Sequence, residues 1–194
     1  MPPVSLYVVF ASNSPFLYDP QVGFLAQWPS NESNIATLRQ QQSKMEARGS
    51  LRWNDPEWRE ANVGSLLLGN NSPFIITLAC KYCALRFAQE RFNWSHSDDV
   101  KVAVVQCAAL QAAGTLFDNL ESLESQFNPK DYLDPDMEHS CELRNKVMRL
   151  AKYRPNTRKS IQYLCLLRIP IDAVKESFSV LEFANYCGLS PFSC

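Results

Sequence analysis

Between Val102 and Ala113 the only polar side chains apart from one cysteine are Gln106 and Gln111, so this stretch must be covered on nearly every side. Val105, Ala109, Ala112, Leu116, Leu120, Leu123 and Phe127 follow one another at three- and four-residue intervals. That spacing lays one stripe along an α-helix. Ser95 or Ser97 supplies an N-cap, and Asp98 and Asp99 fall in the first turn, where carboxylates meet the positive end of the helix dipole. Residues 97–123 are therefore predicted to form a central helix.

The preceding chain supplies partners for it. Residues 4–11 suit a short extended segment. Asp19-Pro20 predicts a short helix to about Ala26, and Ile35, Leu38, Gln42 and Met45 predict a second over 34–48, stopped by Gly49. Trp53, Pro56 and Trp58 lie in a connector expected to pack across one end of the domain. Ser72-Pro73 reads as the start of a helix to about Phe92, with a tight turn into the central one. Two shorter and two longer helices make a four-helix bundle over residues 1–128, because helices this close in sequence pack antiparallel. Helices are also expected over 138–153, 158–168 and 171–187, the last ended by Gly188, giving an all-α protein with a helical C-terminal extension over 129–194.

A chain of 194 residues with 46% hydrophobic side chains can bury one core, and a net charge of −1 supplies no global field for nucleic acid or membranes. The apolar run Leu6 to Ala11 lacks a basic lead-in and is too short for a signal sequence or a span. A soluble, cytoplasmic protein that does not enter a membrane is the expectation. In that compartment the sequons at Asn31, Asn70 and Asn93 are chance matches, and the seven cysteines read as small buried hydrophobes.

No catalytic or cofactor motif stands out. Cys80 and Cys83 form a C-x-x-C with His96 and Cys107 downstream, but a zinc site needs a second close pair, so the two cysteines are read as core neighbours on a helix and no metal is expected. His139 and Cys141 read as a surface pair at a helix start. Charge is more informative. Residues 118–142 hold eight acids against Lys130 alone, whereas residues 143–171 hold eight bases and no acid. Arg144, Lys146, Arg149, Lys152, Arg154, Arg158 and Lys159, with Tyr153 among them, could neutralise phosphates and stack a base. The alternative is that this face pairs with the acidic block, within one molecule or between neighbours.

Two resemblances bear on function. Ser160, Ile161, Cys165 and Ile169 stand at the spacing of the elongin-binding box of SOCS-box-type adaptors, which it resembles. An elongin-type ubiquitin-ligase subunit would then be the partner, and a core helix is the alternative. More of the chain is similar to the coat proteins of rod-shaped, tobamovirus-type plant viruses. Asp98-Asp99 followed by Val102-Ala103-Val104 resembles the opening of that family's long radial helix. Gln41-Gln42-Ser43-Lys44 with Trp53, and Tyr7-Val-Val-Phe-Ala-Ser with Asp19-Pro20, resemble two further segments in the same order. The resemblance implies a non-enzymatic protein that self-associates as identical subunits and packages single-stranded RNA, in a virion. Lys44 would contact the RNA, with Asp98 and Asp99 as carboxylates beside it.

Overall fold

The computed structural model describes residues 3–28, 34–55, 58, 62, 72–95, 99–119 and 162–189. Strands β1 (Ser5–Phe10), β2 (Phe16–Asp19) and β3 (Gly23–Ala26) precede helix α1 (Ile35–Arg52). Then come β4 (Phe74–Leu78), α2 (Lys81–Ser95), β5 (Lys101–Gln106), α3 (Cys107–Ala112) and β6 (Phe117–Asn119). The C-terminal part supplies β7 (Gln162–Leu166), β8 (Arg168–Pro170), a 3-10 turn at Ile171–Ala173, β9 (Val174–Ser179) and α4 (Val180–Tyr186). Six strands pair in the order β6-β7-β4-β1-β5-β9 and three in the order β2-β3-β8, all antiparallel.

This architecture overturns the expectation of an all-α protein built on a four-helix bundle. The decisive stretch is the one that suggested a central helix. Lys101–Gln106 is β5, paired along its whole length with β1 (Leu6 opposite Val105, Val8 opposite Ala103) and on its other side with β9. Val102, Ala103, Val104 and Val105 are all buried because both faces of the sheet are covered. A strand buried on both faces reads as a continuous apolar run, as a buried helix does. Among the described residues of this stretch, helix survives only in the short α3.

Local chemistry explains the other departures. Ser72 does not cap a helix. Its hydroxyl accepts from Phe74 N–H at 3.3 Å, and the Pro73 carbonyl accepts from Leu167 N–H at 2.6 Å, which commits Phe74-Ile-Ile-Thr-Leu78 to the sheet. Asp19 turns a hairpin instead of starting a helix: its Oδ1 accepts from the N–H groups of Gln21 and Val22 at 2.8 and 3.0 Å. The expected helical extension gives way over its described residues, 162–189; the helix expected over 138–153 lies outside them. Residues 162–166 are strand β7, and within 171–187 only Val180–Tyr186 forms an α-helix, held by a Ser179–Glu182 capping box. Gly188, at φ +78°, does close that helix.

The first face of the large sheet carries Leu6, Val8, Phe10, Ile75, Ala103, Val105 and Cys165, and packs against Phe16, Phe24, Ala26, Leu110, Ile169 and Ala173. The second face presents Tyr7, Val9, Leu78, Val102 and Val104 to α2 (Ala84, Leu85, Ala88) and α4 (Phe183, Ala184, Cys187). Beyond β4 a third cluster gathers Met45, Trp58, Phe74, Leu164, Leu166 and Leu167. Trp53 and Trp58 meet the Phe74 ring with centroids 6.1 and 6.0 Å away, so both tryptophans of the connector pack at the first residue of β4, an interior strand of the large sheet.

Candidate functional site

Among the described residues, helix α1 is the one expected helix that the structure keeps nearly intact. Asn34 caps it, its Oδ1 accepting from Ala36 N–H at 2.9 Å and from Thr37 N–H at 3.3 Å. Gly49, expected to end the helix, lies inside it. There a Cβ would stand 3.2 Å from Leu166 Cδ2 and 3.3 Å from Leu167 Cδ1, so the glycine lets helix and sheet approach closely. Leu38, Met45 and Gly49 thus form the buried side of α1.

One flank of α1 is cationic. Lys44, Arg48 and Arg52 are exposed and follow one another at four-residue intervals, in a row that slants towards the buried side because each step turns the helix by about 400°, while Arg39 is exposed on the other flank. At about 1.5 Å rise per residue the three span about 12 Å along the axis. Glu46 is the lone acid of the helix, and Arg168 Nε stands 2.7 Å from its Oε1, so that carboxylate is neutralised from the sheet. Among the described residues no ion pair involves Lys44, Arg48 or Arg52. Arg52 in the last turn also meets the negative end of the helix dipole.

Of the residues predicted from sequence, Lys44 is therefore exposed within a basic line. Asp99 is not a helix cap: its Oδ2 accepts from Ser12 N–H at 2.7 Å and ties the β1–β2 turn to the start of β5. Arg91 lies beside it, half-buried, and donates from Nη2 to Asn13 Oδ1 at 2.8 Å. Burial lowers the Arg91 pKa, and Asp99 counters that effect. Asp98, Arg144, Lys146, Arg149, Lys152, Arg154, Arg158, Lys159, Ser160 and Ile161 lie outside the described residues, as do His96, His139 and Cys141.

The box-like pair is deep in the sheets. Cys165 stands in mid-β7 opposite Ile75, and Ile169 in β8 opposite Phe24, both without solvent exposure. Burial drives the Cys165 thiol far above its ordinary range. The helix expected to carry the box is a strand. Cys80 and Cys83, expected inside a helix, straddle the start of α2 and are half-exposed. Among the described residues no group of three metal-ligating side chains gathers, and no helix is long and apolar enough to cross a membrane.

Sequence reasoning singled out Lys44 but missed Arg48 and Arg52, although their spacing from Lys44 was readable once the helix extended past Gly49. No protein-family model and no curated protein matches the chain.

Proposed function

We propose that the protein binds single-stranded RNA through one exposed flank of α1, with Lys44, Arg48 and Arg52 each meeting a backbone phosphate. The observation that carries this reading is the oblique row of three exposed cations on one flank of a helix whose single carboxylate is already paired. Successive helical turns offer positive charge at about 6 Å intervals, on a surface held rigid by the burial of Leu38, Met45 and Gly49. Contacts of this kind position the strand without reading its sequence. Self-association of subunits along the RNA is a further part of the proposal, taken from the coat-protein resemblance, although Val102-Ala103-Val104 lies in strand β5 and not in a radial helix, and Asp19 turns a hairpin.

Filter binding of a single-stranded homopolymer at a series of salt concentrations tests it. Three to four phosphate contacts predict a slope of log K against log salt of about −2 to −3. The triple variant Lys44→Gln, Arg48→Gln, Arg52→Gln keeps good helix formers and should flatten that slope by about 2. Light scattering with and without RNA reports whether copies associate. Binding without salt dependence, or untouched by the triple variant, counts decisively against the α1 site.

A further inference from the structure

The β4–α2 junction holds a second cluster of reactive groups, remote in sequence from α1. Cys80 immediately precedes the 15-residue helix α2, and Cys83 is the third residue within it. The Cys80 carbonyl accepts from Ala84 N–H at 3.0 Å, so Cys80 opens the first turn of α2 and Cys83, three residues on, stands on the same side of the helix. The Cys80 thiol therefore lies beside the free amides of that turn, at the positive end of the helix dipole.

The two thiols differ as a consequence. Burial by itself would raise the pKa of Cys80, but the hydrogen bonds from Cys83 and Tyr82 outweigh it and hold that thiol below its ordinary value. Cys83 is pushed up by burial and by the thiol hydrogen bond that it makes with Cys80. Both side chains are half-exposed, whereas Cys107, Cys165 and Cys187 are buried. Cys187 lies behind the pair, its Sγ 3.9 Å from the Lys81 carbonyl. One poised sulfur with a second held against it, both open to solvent, has the arrangement of an attacking and a resolving thiol.

We propose that Cys80 and Cys83 form a redox-active dithiol that exchanges with the disulfide of a small thiol compound or of a polypeptide. The Cys80 thiolate attacks one sulfur of R–S–S–R′. A Cys80–S–R bond forms, the S–S bond breaks, and R′–S⁻ leaves to take a proton from water. Cys83 then gives its proton to water and attacks the Cys80 sulfur, which closes the Cys80–Cys83 disulfide and releases R–S⁻. The protein dithiol is oxidised by two electrons, the substrate disulfide is reduced by two, and the protons shed by the protein match those taken up by the products.

The test uses the full chain, incubated with oxidised glutathione in one arm and with a disulfide-linked peptide pair in the other, followed by mass mapping of cysteine peptides. In both arms the wild type should form the Cys80–Cys83 disulfide, and Cys83→Ser should accumulate a mixed disulfide at Cys80. Cys80→Ser should lose exchange at Cys83. Reaction with the peptide alone would place the natural disulfide on a polypeptide. Alkylation of the reduced wild type near neutral pH should modify Cys80 several-fold faster than Cys83, a readout that requires no variant to fold. Equal labelling of the two cysteines, no mixed disulfide in either arm, or stoichiometric zinc that blocks both thiols would overturn the proposal.

Discussion

Arg168 Nε stands 2.7 Å from Oε1 of Glu46, joining β8 of the small sheet to α1. Both side chains are about one-third exposed, at 37% and 32%, and the carboxylate oxygen lacks an aligned hydrogen bond. The contact is thus a charge pair between partly solvated side chains, with the contacting oxygen itself buried. Its main effect is on α1, where it leaves the outward cations without a competing acid.

Replacing that acid should therefore cost little and help binding. Glu46→Gln is expected to lower stability by no more than about 1 kcal/mol, the range of solvent-screened pairs. RNA affinity at low salt should rise modestly. Thermal melts and filter binding on the same preparation measure both, and weaker RNA binding would contradict the role given to α1.

Phe183 anchors the helical side of the core. Its ring has no solvent exposure and meets Tyr7 edge-on at 5.7 Å, Phe178 at 6.0 Å and Tyr186 in a stack at 5.5 Å. Phe183→Ala should cost about 3–5 kcal/mol by lost burial and the cavity left behind. That corresponds to a fall in Tm of roughly 6–20 °C for a chain of this size, readable by calorimetry.

Gly23 holds the start of β3 at φ +100°, and a Cβ there would stand 2.1 Å from the Ile169 carbonyl oxygen. Gly23→Ala cannot keep both the backbone angle and the pairing of β3 with β8. The expected loss exceeds about 2 kcal/mol, above the cost of a left-handed residue alone. Denaturant titration gives the number, and exchange of the Ile171 amide, which donates to the Val22 carbonyl at 3.0 Å, locates the damage.

Alkaline pH should act through Tyr7. Burial, and then the neighbouring Tyr186, Cys187 and Cys80, push its phenol up to about 12. Because the folded value lies above the ordinary value of about 10, the stability linked to the protonated phenol is complete below about pH 10 and is lost as pH rises through about 12. Tyr7→Phe keeps the ring and removes the titration. Between about pH 10 and pH 12 the wild type should lose more stability in urea melts than this variant does.

The acid limb has a different source. Hydrogen bonds from the backbone N–H and the hydroxyl of Ser179 hold the fully exposed Glu182 below its ordinary value of 4.5. Stability from this capping box is present above that value and is lost as pH falls through the depressed one. Glu182→Gln should flatten the stability profile in that acidic window, matching the wild type at the acid end and lying below it near neutrality.

Legibility followed how strongly each segment's covering resembled that of its alternative. Helix α1 was readable because one side is polar, so Leu38 and Met45 stood out with helical spacing. In β5 the same reasoning failed, since a strand packed on both faces has no polar side to betray its period of two. The β-branched Val102, Val104 and Val105, and Ile75-Ile76-Thr77 in β4, did favour strands, but neighbouring alanines and a Ser-Pro start masked them. At the junction before α2, the cysteine pair was visible as a motif. Its position at the start of a helix was not, because the helix was expected to begin at Ser72.

Leu167 is the non-glycine residue of the described chain with a positive φ, at +62°. Its N–H serves Pro73 at the border of the large sheet, and its carbonyl accepts from Ala26 N–H of the small one at 2.8 Å. One kinked peptide therefore fastens both sheets, so neither can open without releasing the other. Proton exchange at Leu167 N–H should be among the slowest in the molecule, tracking whole-chain opening and not local fraying. The two sheets would then melt as one cooperative unit.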